Sequence, residues 1–254
     1  MLTTNQTLIF NKCKTDLPLD RARLSDEYYY DSIPQCIIDA VYSIGANYSS
    51  TRNTVIRYCD RKGVTRLYAI PGTPSDAHKV ENLIDNIDSC TDGLFGADEL
   101  FENKQKTSTK NGILKAEAVR RFAKTLFDNG IKTIADIREA SADDIARIET
   151  QIKTIPGQKS GISFSYFLML SGNEDHMKID RWLLRFVGEA LDIPNYSNVG
   201  QAYIDLLAVC EELKITYPDL TPRVLDHTIW SHIRAIEIAE IEAKRRRRNR
   251  TQPI

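Results

Sequence analysis

The sequence predicts an all-α protein of about nine or ten helices, and three observations carry that expectation. Strict apolar–polar alternation, the mark of a half-buried strand, is scarce. Apolar residues instead recur at three- and four-residue spacing. The stretches that show this spacing tend to open on Ser or Thr and to close on Gly, the usual helix punctuation.

Ser32 ahead of Pro34 opens a helix carrying Ile37, Ile38, Val41 and Tyr42 on one side and ending near Gly45. A second runs from about Ser49 through Val55, Ile56 and Cys59 to Gly63. Ser75 is the expected cap of a third, with Val80, Leu83, Ile84 and Ile87 at helical spacing. Residues 91–111 are polar and glycine-bearing and read as a long loop or short turns. From Lys115, Ala116, Val119, Phe122, Ala123 and Leu126 form a stripe that Gly130 stops. Ser141 with Asp144 resembles a capping box before Ile145 and Ile148. The nearly all-apolar stretch from Ile162 to Leu170 must be buried on most sides. Ser197 is the expected cap of a helix through Leu206, Leu207 and Cys210, and Thr221-Pro222 starts a last long one through Leu225, Ile229, Trp230 and Ile236.

With 254 residues, 42% hydrophobic and 27% charged, the chain can bury a sizeable core as one domain or as two lobes sharing a cleft. No apolar run approaches the ~20 residues that cross a bilayer, so no membrane partner is expected. Met1 to Phe10 lacks the basic-then-apolar pattern of a signal peptide, which makes a soluble, cytoplasmic protein the expectation. Cys13, Cys36, Cys59, Cys90 and Cys210 are too scattered for a zinc module or a disulfide framework. His227 and His232, five apart, do not share a helix face, so no metal site is expected. The net charge of −1 is uneven. Lys244, Arg245, Arg246, Arg247, Arg248 and Arg250 form a basic tail over 244–254, leaving residues 1–243 near −7. That tail suits a DNA-contacting arm, a localisation signal or a solubilising end.

The chemistry concentrates after residue 150. Ile155-Pro156-Gly157-Gln158-Lys159-Ser160-Gly161 leads into the apolar Ile162 to Leu170, Gly172 closes that helix, and Lys178-Ile179-Asp180-Arg181-Trp182 opens another. A tight glycine turn before a helix presents backbone N–H groups to a phosphate oxygen, and Lys159 adds a cation. A Pro-Gly turn is also an ordinary helix connection. Asp180 at a helix start is favoured in its ionised form, and it is equally a plain helix cap.

In order and spacing these residues resemble the helix-hairpin-helix (HhH-GPD) superfamily of DNA glycosylases. That motif runs hydrophobic-Pro-Gly-x-Gly, buried helix, Gly, short loop, then Val-Asp and a helix, and 24 positions separate Pro156 from Asp180. The resemblance covers roughly residues 34–187. It implies a two-lobed helical fold with a central cleft over 1–243, with the helix-hairpin-helix at about 145–172 and the aspartate-bearing helix at about 180–191. It further implies hydrolysis of the N-glycosidic bond of an altered base in double-stranded DNA, without a cofactor. Asp180 would stabilise the oxocarbenium-like charge on the sugar and orient water. Gly157, Lys159, Gly161 and Arg181 would contact DNA. Members that also nick the strand use a lysine that falls here on Gly161, Ile162 or Ser163, so the activity expected is monofunctional. An iron–sulfur cluster is not expected, because only Cys210 lies in the C-terminal half.

Tyr166 and Trp182, with the cluster Tyr28-Tyr29-Tyr30, are candidates for a pocket that stacks a flipped base, although such aromatics are also ordinary core. Asn47 or Tyr48 stands where relatives insert a residue into the gap the base leaves. Two departures are plain. Lys159 occupies the position of the family's second glycine, with Gly161 two further on, and Arg181-Trp182 follows the aspartate where many members have Thr-His. A non-catalytic helix-hairpin-helix DNA-binding or scaffold protein is the alternative.

Overall fold

The computed structural model describes residues 1–68 and 73–250, with side chains as far as residue 243. The basic tail therefore lies outside the described side chains. Among the described residues there are eleven α-helices and no strand: α1 Thr4–Asp16, α2 Ile33–Tyr42, α3 Tyr48–Lys62, α4 Val80–Asp88, α5 Lys115–Asp128, α6 Ile134–Glu139, α7 Ala142–Ile152, α8 Ile162–Leu170, α9 Arg181–Leu191, α10 Val199–Lys214 and α11 Pro222–Arg250. The protein is all-α.

Two helices carry no clear signal in the sequence. α1 buries Gln6, Ile9 and Cys13, a face too polar to stand out as an apolar stripe; a Thr3–Gln6 capping box starts it. α6 is under two turns long and is set by the Thr133–Asp136 capping box. Two expected caps are corrected. Ser75 does not cap α4; its amide and hydroxyl both donate to the Asp31 carboxylate, and Lys79 takes the N-cap position. α10 is capped by Asn198 rather than Ser197, the Asn198 side-chain oxygen accepting from Gln201 N–H at 3.1 Å.

The chain divides into two compact units, residues 25–176 and residues 1–24 together with 177–254. In the larger unit α2 is the hub, packed by α3, α4, α5 and α8. All ten of its residues are buried, which requires its polar members to be satisfied. Gln35 donates to the Thr65 carbonyl and Asp39 accepts from the Tyr30 hydroxyl, each at 2.8 Å. Phe122 of α5 meets Phe164 and Phe167 of α8 with ring centroids 6.3 and 5.2 Å apart. The smaller unit packs α1, α9, α10 and α11 around Ile9, Leu183, Phe186, Leu206, Leu225 and Ile229. Within it Gln6 and Gln201 both donate to Asp205 Oδ1 at 3.0 Å.

Lys115, at the start of α5, is buried. Its ammonium donates to the Tyr42 and Ile44 carbonyls at 2.9 and 2.8 Å and to Gln105 Oε1 at 3.0 Å. It thus closes the carbonyl end of α2, where the helix dipole favours a cation. Lys115→Met is expected to strand those acceptors and lower the unfolding free energy by about 2–4 kcal/mol, read as a fall in the urea midpoint.

Candidate functional site

In the larger unit, α7 starts on the Ser141 hydroxyl, which accepts from Asp144 N–H at 3.1 Å. After Ile152 the chain turns three times in short steps. Ile155, Gln158 and Gly161 each donate a backbone N–H to the carbonyl three residues earlier, at 3.0, 2.9 and 3.0 Å. Buried Ile155 anchors the turn. Gly157 (φ 87°) and Gly161 (φ 76°) are both left-handed, the region glycine enters without steric cost. Space adds to this at 157, where a Cβ would run into the Thr107 side chain; at 161 it would meet the movable ends of Lys153 and Glu149, at 2.7 and 2.9 Å.

Gly161 is the N-cap of α8 and has no side chain to cap with. The amides of Ser163 and Phe164 take no acceptor among the described residues, and the Ile162 amide only approaches Ser160 Oγ at 3.4 Å. The positive end of α8 is therefore bare. Thr107 Oγ1, Gln158 Oε1 and Ser163 Oγ, all of this neighbourhood, are buried without a hydrogen-bond partner. Gly157, Lys159 and Ser160 are exposed, whereas Lys153 is engaged by Glu149 at 2.5 Å. Backbone amides with a nearby free-standing ammonium form an arrangement that attracts an oxyanion.

A second group of expected residues also lies in this unit. The rings of Tyr28 and Tyr48 are 6.3 Å apart, and Tyr30 donates to buried Asp39. Tyr48 is hydrogen-bonded to Glu27 and Tyr28. Burial raises the Tyr166 phenol well above its ordinary pKa, with Asp39 and the phenols of Tyr28, Tyr30 and Tyr48 adding to the shift. Tyr48 and Tyr166 therefore share one polar cluster of neutral phenols. Tyr48 is half-buried against the core, and its neighbour Asn47 is the exposed residue at the head of α3.

Asp180 lies in the smaller unit. It is the N-cap of α9, and its Oδ1 accepts from Trp182 N–H at 2.8 Å. Its own amide donates to the Lys178 carbonyl at 2.7 Å, and the Lys178 amide donates to Asp226 Oδ2 at 2.7 Å. Burial raises the pKa of Asp180, against the opposing pull of Lys178, the Trp182 and Leu183 amides and Arg181. Asp226, buried on α11, is raised well above the carboxylate range, first by burial and then by the negative charge of Asp180. The two carboxyls form a coupled pair in which Asp180 ionises first and Asp226 keeps its proton. No motif marks Asp226. The available signal was its place three and four residues before Ile229 and Trp230, on the face that the helix buries.

Trp182 packs against the core of this unit. Arg181 is exposed, stacks on the Trp182 ring at 4.3 Å, and lines a groove of about 470 Å³ with Arg185, Gly188 and Tyr196. Asp180 does not line that groove. Among the described residues no group of three His, Cys, Asp or Glu could hold a metal ion, and no helix is long and apolar enough to cross a membrane.

Residues 7–234 match a family described as a domain of unknown function, DUF8548, and the chain belongs to that family. No curated protein and no solved structure matches it.

The raised pKa of Asp226 has a defined consequence for stability. The folded state holds the Asp226 proton more tightly than the unfolded chain does. The group therefore contributes stability at acid pH that is lost as pH rises through its folded pKa. Asp226→Asn keeps an oxygen for the Lys178 amide and removes the ionisation. It is expected to melt higher than wild type at mildly alkaline pH, the difference shrinking below the ordinary carboxylate range, as measured by thermal denaturation across pH.

Proposed function

We propose that this protein is a monofunctional DNA glycosylase of the helix-hairpin-helix type, cleaving the N-glycosidic bond of an altered base in double-stranded DNA and leaving an abasic site. The observation that carries the reading is the bare amino end of α8 behind two left-handed glycines, followed in sequence by a half-buried carboxylate at the head of α9. Amides and Lys159 hold a backbone phosphate without reading sequence. The Asp180 carboxylate stabilises the positive charge that develops on the sugar as the base departs, and orients the attacking water. Residues 161–163 contain no lysine to form a Schiff base, which supports simple hydrolysis. Tyr48 and Tyr166, the half-buried members of the phenol cluster, are the rings offered to a heterocycle.

One observation favours the alternative of a non-catalytic DNA-binding protein. The Asp180 side chain is already engaged as a helix cap. Incubation with duplexes bearing a panel of altered bases, followed by alkali, separates the two readings. Wild type is expected to give alkali-dependent cuts that Asp180→Asn reduces by about a hundredfold or more, with folding preserved because Asn is an equally good cap. DNA binding by both proteins with no cutting of any substrate would establish the binding reading.

The phosphate contact is tested separately. Lys159→Gln is expected to weaken duplex binding uniformly across sequences and to reduce the slope of log affinity against log salt by about one, as measured by fluorescence anisotropy. An unchanged slope would remove Lys159 from the interface.

A further inference from the structure

We infer that Asp226 is a positioning residue for Asp180: its buried carboxyl, holding the Lys178 amide, fixes the short segment that presents Asp180 at the head of α9. The inference rests on the catalytic role proposed for Asp180 and adds to it a second carboxyl from a helix that the sequence resemblance does not reach.

The connection is a continuous chain of short bonds within one unit. Asp226 Oδ2 accepts from Lys178 N–H, the Lys178 carbonyl accepts from Asp180 N–H, and Asp180 Oδ1 accepts from Trp182 N–H, at 2.7, 2.7 and 2.8 Å. Met177 and Ile179, on either side of Lys178, are buried, so the segment is held by its apolar side chains and by this polar bond to α11. α9 and α11 pack directly on each other, which makes α11 the frame against which the start of α9 is set. A buried carboxyl that only filled space would be a poor choice there, since an amide acceptor is what the segment requires.

Charge reinforces the placement. The charged groups facing Asp226 are Asp180 and Lys178 from the segment before α9 and Arg223 from its own helix, and Arg181 acts on Asp180. With Asp226 neutral, the pair carries its single negative charge on Asp180, the group that faces the developing cation in the proposed reaction. Asp226 thus supports Asp180 twice, by anchoring its backbone and by remaining uncharged beside it.

The test uses the full chain and NMR, with no DNA. In Asp180→Asn the titration midpoint of the Asp226 carboxyl is expected to fall, because a neighbouring negative charge has been removed; an unmoved midpoint would overturn the inference. Asp226→Asn, a neutral acceptor, is expected to leave the Asp180 titration and the Trp182 amide shift as in wild type. Asp226→Ala is expected to move both. A Trp182 amide and Asp180 titration unchanged in Asp226→Ala, or disturbed in Asp226→Asn as strongly as in Asp226→Ala, would contradict it. If Asp226→Ala does not fold, the Asp180→Asn and Asp226→Asn titrations decide the matter. Base excision is the second readout: Asp226→Ala lowers kcat with KM unchanged, and Asp226→Asn restores it with the wild-type acid limb. Failure of wild type to excise any base would defeat the glycosylase reading while leaving the titration result standing.

Discussion

The turn between α7 and α8 is built on two left-handed glycines, and that backbone conformation organises the candidate DNA-binding surface. Gly157 and Gly161 are both left-handed, and the space a Cβ would need is taken by Thr107 in one case and by the Glu149–Lys153 pair in the other. With Gly161 at the cap position, α8 begins with no side-chain acceptor for its first amides. The left-handed φ of 76° there disfavours the Ser, Thr or Asp that usually caps a helix from an extended backbone. An open positive helix end follows directly from the way the turn is closed.

The rest of the molecule satisfies its buried polar groups with few exceptions. Lys115 closes the end of α2, Asp39 takes the Tyr30 hydroxyl, and Asp205 gathers two glutamine amides. In the larger unit five buried side-chain oxygens lack partners among the described residues, Gln35 Oε1 and Glu81 Oε2 singly and three grouped around the hairpin. In the smaller unit burial raises the pKa of both Asp180 and Asp226, the latter further, and Asp180 is given the amides of a helix start.

Much of this was legible in the sequence, and the failures have physical reasons. Apolar spacing located α2, α3, α4, α5, α7, α10 and α11, while α8 was legible as an unbroken apolar run and α9 from its Lys178–Trp182 start. α1 escaped because its buried face includes Gln6, whose partner Asp205 is 199 residues away. Ser75 and Ser197 were natural caps by residue type, but Asp31 claims Ser75, and Asn198 stands one position nearer the start of α10. At the site, Gly157, Gly161 and Asp180 follow a local pattern and could be read. Asp226 could not, since its role depends on α11 packing beside α9. Tyr48 was readable as an aromatic near a helix start, but not as a phenol held by Tyr28 and Glu27 from a segment twenty residues earlier in the chain.

In the proposed complex the bare end of α8 and the glycine turn before it grip a DNA phosphate. The most direct measurement is an amide chemical-shift titration of the full chain with a short duplex carrying a stable abasic-site analogue. The amides of Gly157, Lys159, Ser163 and Phe164 are expected to move together and saturate at one duplex concentration. Binding of the duplex with those four amides unmoved, or no binding at low salt, would contradict it.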